Sequence, residues 1–288
     1  MALVPATQSH PGGACDRARH CKTCISPAKP HGRVMFPFRD HNPSRRTPYV
    51  TWALIGINIA VFLSYWHLFS NDLALARFFY TWGLVPAISE PTTFVTSMFL
   101  HGGILHIAGN MLFLWVFGDN MEDAMGHGWF LIFYLASGLA AAFAQYASAP
   151  GSTVPMVGAS GAIAGVMGGY LLLYPRARVD VLIILIIIIR VIPVPAWAVL
   201  GGWMTIQLVQ GSIVSTDAGG VAYWAHAGGF IAGAILTFPL WLRLGGPGFW
   251  QRNLGHPPHP ETHVRMVRTN VPSVRRRPGR SSPWDRRQ

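Results

Sequence analysis

The chain has 288 residues, 51% of them hydrophobic and only 11% charged, with a formal net charge of +11. Its apolar residues are grouped in long blocks separated by short stretches containing Gly and Pro, a composition that excludes an ordinary soluble domain and marks a membrane protein. The positive charge resides mostly in the two ends and says little about the apolar part.

The first 34 residues read as a disordered extension, and Arg17, Arg19, Arg33, Arg39, Arg45 and Arg46 precede the first apolar block. No cleavable apolar core occurs there, so no signal peptide is expected and the first helix serves as its own insertion signal. Cys15, Cys21 and Cys24 accompany His10, His20 and His31, but not at the spacing of a zinc finger. No metal and no cofactor is expected, and an odd cysteine count on the cytoplasmic side argues against disulfides.

Six apolar blocks follow, at 49–68, 95–118, 129–147, 157–174, 195–211 and 222–243. Each approaches the roughly 20 residues that cross a bilayer as a helix, so the expected fold is all-α with six transmembrane helices. A seventh run, Val181 to Ile189, is too short and ends at Arg190, Pro193 and Pro195; it reads as an interfacial or re-entrant piece. Arg176, Arg178, Arg190 and Arg243 fall on the side of the N-terminus, and Arg77 is the only Lys or Arg opposite. The positive-inside bias then puts both termini in the cytoplasm. The tail from Gly245 to Gln288, with Arg275, Arg276, Arg277, Arg280, Arg286 and Arg287, is expected to be disordered and drawn to anionic lipid headgroups. Nothing in it supports a nucleic-acid partner.

Polar groups interrupt three of these blocks: His106 with Asn110, Gly158-Ala159-Ser160-Gly161, and His226. A charged side chain in hydrocarbon costs roughly 2.5 to 3.5 kcal/mol on insertion scales, so intramembrane polar groups usually serve a site. Helices two, four and six all begin on the outer side, which gives the three clusters a common depth. Gly161, Gly165 and Gly169 recur every four residues, as do Gly229 and Gly233. Such faces let helix backbones approach closely and would bring the Ser160 hydroxyl to the His226 imidazole. His106 and Asn110 share a face of helix two. Taken singly, Ser160 reads as a packing residue, a lone His as a structural hydrogen bonder and Asn110 as interhelical glue. Their coincidence in depth and face favours a site.

The stretch FLHGGILHIAGNMLFLWVFGDNMED, the GASGA around Ser160, and AHAGG followed by Gly233 resemble a bacterial rhomboid, one of the intramembrane serine proteases. The resemblance covers about Met35 to Leu244, the whole membrane domain. It implies a six-helix rhomboid bundle in a bacterial inner membrane, with Ser160 as nucleophile and His226 as general base. It further implies that His106 and Asn110 stabilise the oxyanion and that the substrates are transmembrane proteins cut near the outer face. The oligomeric state is not legible.

A carboxylate orienting His226 is not expected: Asp119 is nine residues beyond Asn110, roughly 13 Å deeper by helical rise. Asp72, Glu90 and Asp217 lie in outer loops. A Ser-His dyad results, as the family resemblance also implies. The soluble hydrolase elbow does not fit, because Ala162 follows Ser160 by two and no strand precedes the site. Two features depart from the family. Ala164 stands where many relatives carry an aromatic residue against the histidine, leaving Tyr223 or Trp224 to brace it. The first outer loop lacks a Trp-Arg pair but offers Phe78, Phe79, Tyr80 and Trp82 to the outer leaflet. The loop from Gly211 to Ala222 reads either as a lid beside a gating helix five or as a plain connector. Two rivals remain. A transporter would need ionisable groups at several depths, and a catalytically silent rhomboid-like protein that binds transmembrane helices would usually lack the serine or the histidine.

Overall fold

The computed structural model describes residues 44–185, 188–214 and 220–257, which form a helical bundle. In chain order these are α1 (Tyr49–Ser64), a 3-10 turn (Trp66–Ser70), α2 (Asp72–Trp82), α3 (Thr93–Thr96) running into a second 3-10 turn (Ser97–Phe99), α4 (Ile104–Met125), α5 (His127–Ser148), α6 (Ser160–Leu173), strands β1 (Arg178–Leu185) and β2 (Ile188–Pro195), α7 (Ala196–Ile213), α8 (Tyr223–Leu244) and α9 (Pro247–Asn253). The N-terminal extension with its cysteines and histidines, Asp217 and Gly219 of the expected lid, and the arginines from Arg275 onward lie outside the described residues.

Each of the six apolar blocks falls on a helix, with the second broken into two. There α3 and its 3-10 turn meet α4 at 93°. Among the described residues, α5 and α8 are each long and apolar enough to cross a membrane, and a third span results if the bent pair counts as one. The apolar helices α1 and α6 are shorter, at 16 and 14 residues.

Helix α6 is the centre of the bundle: Gly161 to Tyr170 are all buried, with α5 and α8 against it. Glycine makes that contact possible. A Cβ on Gly229 would overlap the carbonyl of Gly161, and one on Gly233 would overlap the backbone of Gly165. Ser137 of α5 fills the other side of Gly165. In lipid, where apolar burial gives little drive between helices, this close packing holds neighbours together.

Away from the start of α6, a buried carboxylate joins α1 to α4. Glu122 accepts from the Val50 and Thr51 amides at 2.9 and 2.8 Å and from the Thr51 hydroxyl at 2.7 Å. His127 Nδ1 lies 2.5 Å from Oε1, the oxygen that also accepts from Val50. Two of the first-turn amides of α1, which no helical carbonyl can reach, are thereby satisfied.

The expected interfacial or re-entrant piece around Val181 to Ile189 is instead part of an antiparallel hairpin, with Arg178 opposite Pro195 and Ile184 opposite Ile189. Its Val and Ile run suits a pleated strand better than a helix, and eight residues are too few to span. The hairpin closes where Ala196 N–H donates to the Ala177 carbonyl at 2.8 Å. The expected start of the tail at Gly245 is also ordered. Gly245, at φ +113°, turns the chain into α9. From α9 the Trp250 indole donates to the Leu172 carbonyl at 3.0 Å and Arg252 donates to the Leu244 carbonyl at 2.5 Å.

Candidate active site

Ser160 is the first residue of α6, so its amide belongs to the helix start whose N–H groups have no intrahelical acceptor. The loop before it is tied down from one side. Leu84 and Met156 exchange both backbone hydrogen bonds at 3.0 and 2.8 Å, and Ala87 N–H donates to Ser152 at 2.9 Å. The Gly158 N–H donates to the Ser97 carbonyl at 2.9 Å. Gly158 has φ +139°, a conformation that side chains disfavour.

His226 lies in the first turn of α8, and its Nε2 is 2.8 Å from Ser160 Oγ. Its other nitrogen, Nδ1, is 2.8 Å from Gln207 Oε1 on α7. An amide oxygen only accepts, so Nδ1 carries the ring proton and Nε2 presents its lone pair to the serine hydroxyl. Trp203, one turn before Gln207 on the same face of α7, packs on the imidazole with ring centres 5.5 Å apart at 37°. The bracing expected of Tyr223 or Trp224 therefore comes from α7. Those two residues lie against Gly211.

His106 stands in the first turn of α4 and accepts from the Gly102 amide through Nδ1 at 3.2 Å. Its proton is consequently on Nε2. That nitrogen would be 2.9 Å from a Cβ built on Gly158, and Ser160 Oγ 3.4 Å from the same point. The missing side chain of Gly158 thus leaves a space bounded by a ring N–H and the serine hydroxyl. Asn110, one turn beyond His106, is buried with no hydrogen-bond partner for its Nδ2 among the described residues. A buried orphan donor costs about 1 to 3 kcal/mol, which calls for an explanation in function.

Ser160, His226, His106 and Asn110 all line one cavity of about 590 Å³. Gly220 to Ala222, the end of the expected lid, contribute to its wall. On its far side Gln145 of α5 accepts from the Ala225 amide at 3.3 Å, helping to fix the start of α8. Of the outer-loop aromatics, Phe78 and Phe79 turn inward onto Tyr65, with ring centres 4.7 and 6.1 Å away, while Tyr80 and Trp82 are exposed. Tyr65 in turn bonds the His101 backbone and so holds the corner before α4.

Sequence reasoning did not single out Gln207, Trp203 or the role of Gly158. A lone glutamine in an apolar run was the available signal for the first.

A family model described as Rhomboid domain matches residues 89–243 of this chain. Rhomboid protein 1, mitochondrial, of Saccharomyces cerevisiae is 30% identical over 202 residues, covering 65% of this chain and 51% of that protein. Rhomboid protease GluP of Bacillus subtilis is 43% identical over 77 residues, 27% of this chain and 15% of that protein. The human Presenilin-associated rhomboid-like protein, mitochondrial, is 29% identical over 131 residues, 45% and 34% of the two chains. The chain spans about half the length of the yeast relative and less of the other two.

Proposed function

Because this chain belongs to the rhomboid family, whose members are embedded in membranes, we propose that it is an intramembrane serine endopeptidase cutting transmembrane segments of single-pass proteins. The observation that carries the reading is the Ser160 hydroxyl 2.8 Å from an imidazole nitrogen whose ring proton is engaged on the opposite side. A serine hydroxyl is a weak nucleophile until such a base takes its proton.

Ser160 Oγ attacks the scissile carbonyl as its proton passes to His226 Nε2. The carbonyl oxygen becomes an oxyanion in the space beside Gly158, where His106 Nε2–H, Asn110 Nδ2–H and the Ser160 amide supply donors. Donors fixed in advance around the developing charge are worth about 2.7 to 4 kcal/mol each. Collapse of the intermediate expels the amine, which takes the proton from His226 and leaves an acyl-serine. Water entering through the cavity hydrolyses the ester by the same steps, with His226 again as base. The Trp203 ring face favours the cation formed on His226 in each half-reaction.

The 14 residues of α6 measure about 21 Å, short of the roughly 30 Å hydrocarbon layer, which accounts for a nucleophile recessed within the membrane. With both termini cytoplasmic, the cavity opens toward the outer face of a bacterial inner membrane. A substrate helix must unwind before its carbonyl is accessible, and Gly or Pro near the cut lowers that cost.

The purified protein in liposomes should cleave a single-pass substrate and react with a fluorophosphonate at Ser160. Ser160→Ala and His226→Ala should each lower kcat by about 10⁴-fold or more without changing the melting temperature. Full cleavage by Ser160→Ala would sink the assignment. Substrate binding with neither cleavage nor labelling in the wild type would favour the catalytically silent, helix-binding alternative.

A further inference from the structure

Among the residues of α7, Ala196, Leu200 and Gln207 alone are buried, and Gln207 is the one with a polar side chain. Burying an amide costs about 1 to 3 kcal/mol unless it is bonded, and leucine or methionine would fill the same space without that cost. The oxygen of this amide is engaged with His226 Nδ1 at 2.8 Å. The opposite amide orientation would set its NH₂ against Nδ1 and force the ring proton onto Nε2. His226 would then offer Ser160 a donor instead of a lone pair.

We propose that Gln207 is a positioning residue that fixes both the tautomer and the direction of the His226 ring. Because it stands on α7 while His226 and Ser160 stand on α8 and α6, the base is set only when α7 lies against α8. The inference deepens the serine-hydrolase reading and rests on it for its effect on rate. It also constrains substrate entry. If α7 swings outward to admit a substrate, it must return before acylation, since a displaced α7 removes the acceptor and the Trp203 face together. No carboxylate is required: a neutral amide holds the tautomer as well, and gives up only the ionic stabilisation of the imidazolium that an aspartate provides.

The test uses the full chain with Gln207→Met, which keeps length and loses the acceptor, and Gln207→Glu, which restores one. Gln207→Met should lower kcat about 10- to 100-fold, less than the roughly 10²- to 10⁴-fold that the general base itself contributes, with KM changed less than about twofold. Fluorophosphonate labelling of Ser160 should slow in parallel, and Gln207→Glu should recover most of both rates. Independently of activity, ¹⁵N spectra of histidine-labelled protein should show the His226 signal, assigned by its loss in His226→Asn, as Nδ1-protonated in the wild type and mixed in Gln207→Met. Gln207→Leu serves the same comparison if Gln207→Met does not fold. Unchanged kcat and tautomer in the acceptor-less variant would overturn the positioning role and leave the hydrolase reading intact. Equal slowing in Gln207→Met and Gln207→Glu, with the tautomer unmoved, would reduce Gln207 to a packing residue. A wild type that cleaves nothing but loses its tautomer in Gln207→Met would overturn the hydrolase reading alone.

Discussion

Glu122 and Asn110 stand on the same helix, about 18 Å apart by helical rise, and both are buried. Glu122 is surrounded by the Val50 and Thr51 amides, the Thr51 hydroxyl and His127. Asn110 keeps a donor with no acceptor among the described residues. One end of α4 uses a polar group to fasten two helices, and the other holds a polar group in reserve. A buried donor left open costs about 1 to 3 kcal/mol, and on the proposed mechanism Asn110 recovers that cost when an oxyanion forms beside it.

That contrast can be broken from either side. The largest effect should come from Glu122→Ala, which strands the Val50 and Thr51 amides and the Thr51 hydroxyl and frees His127: a loss of about 3 to 5 kcal/mol in folding stability, read as a lower melting temperature in detergent. The fraction that remains folded should cleave at a rate near wild type, and a specific rate lowered as much as stability would mean the two ends are not separable. Asn110→Ala should do the converse, lowering kcat by about 10²- to 10³-fold, or 2.7 to 4 kcal/mol, with the melting temperature unchanged or raised. A marked loss of stability would show that its amide is structural after all. Gly158→Ala sharpens the same point, because its methyl would enter the space beside His106 Nε2 and Ser160 Oγ in an unfavourable backbone conformation. Its expected cost is about 1 to 3 kcal/mol in stability, with fluorophosphonate labelling slowed more than substrate binding. The smallest effect belongs to Trp250→Phe, which removes one hydrogen bond far from Ser160 and should cost about 1 kcal/mol in stability and nothing in rate.

Helix positions were legible because hydrophobic blocks near span length leave little choice of structure, and all six blocks coincide with helices. The positions of Ser160, His226, His106 and Asn110 were legible because each interrupts such a block at a helix start. The hairpin was not, since a short Val/Ile run has no periodicity that separates strand from helix. Gln207 escaped for a related reason: its neighbours Ile206, Leu208 and Val209 are exposed, so α7 presents no stripe that would mark position 207 as the inward one. Glu122 lies past the last apolar residues of its block, where a carboxylate reads as solvated. Its saturation depends on Thr51, seventy-one residues earlier, a pairing that no local pattern announces. The ordered stretch after Gly245 was hidden by its Gly and Pro content, which in this case shapes a short helix rather than preventing one.

The short helix α9 has a practical side. The two helices that deliver the hydroxyl and the imidazole are both tied to it, one through an indole and the other through a guanidinium. Anyone trimming the basic extension for crystallisation, or fusing a reporter there, should spare the residues through Pro257. A scissor cut at Gly245 would leave both helices fraying from behind, and the loss would surface as poor yield and mistaken for a spent catalyst.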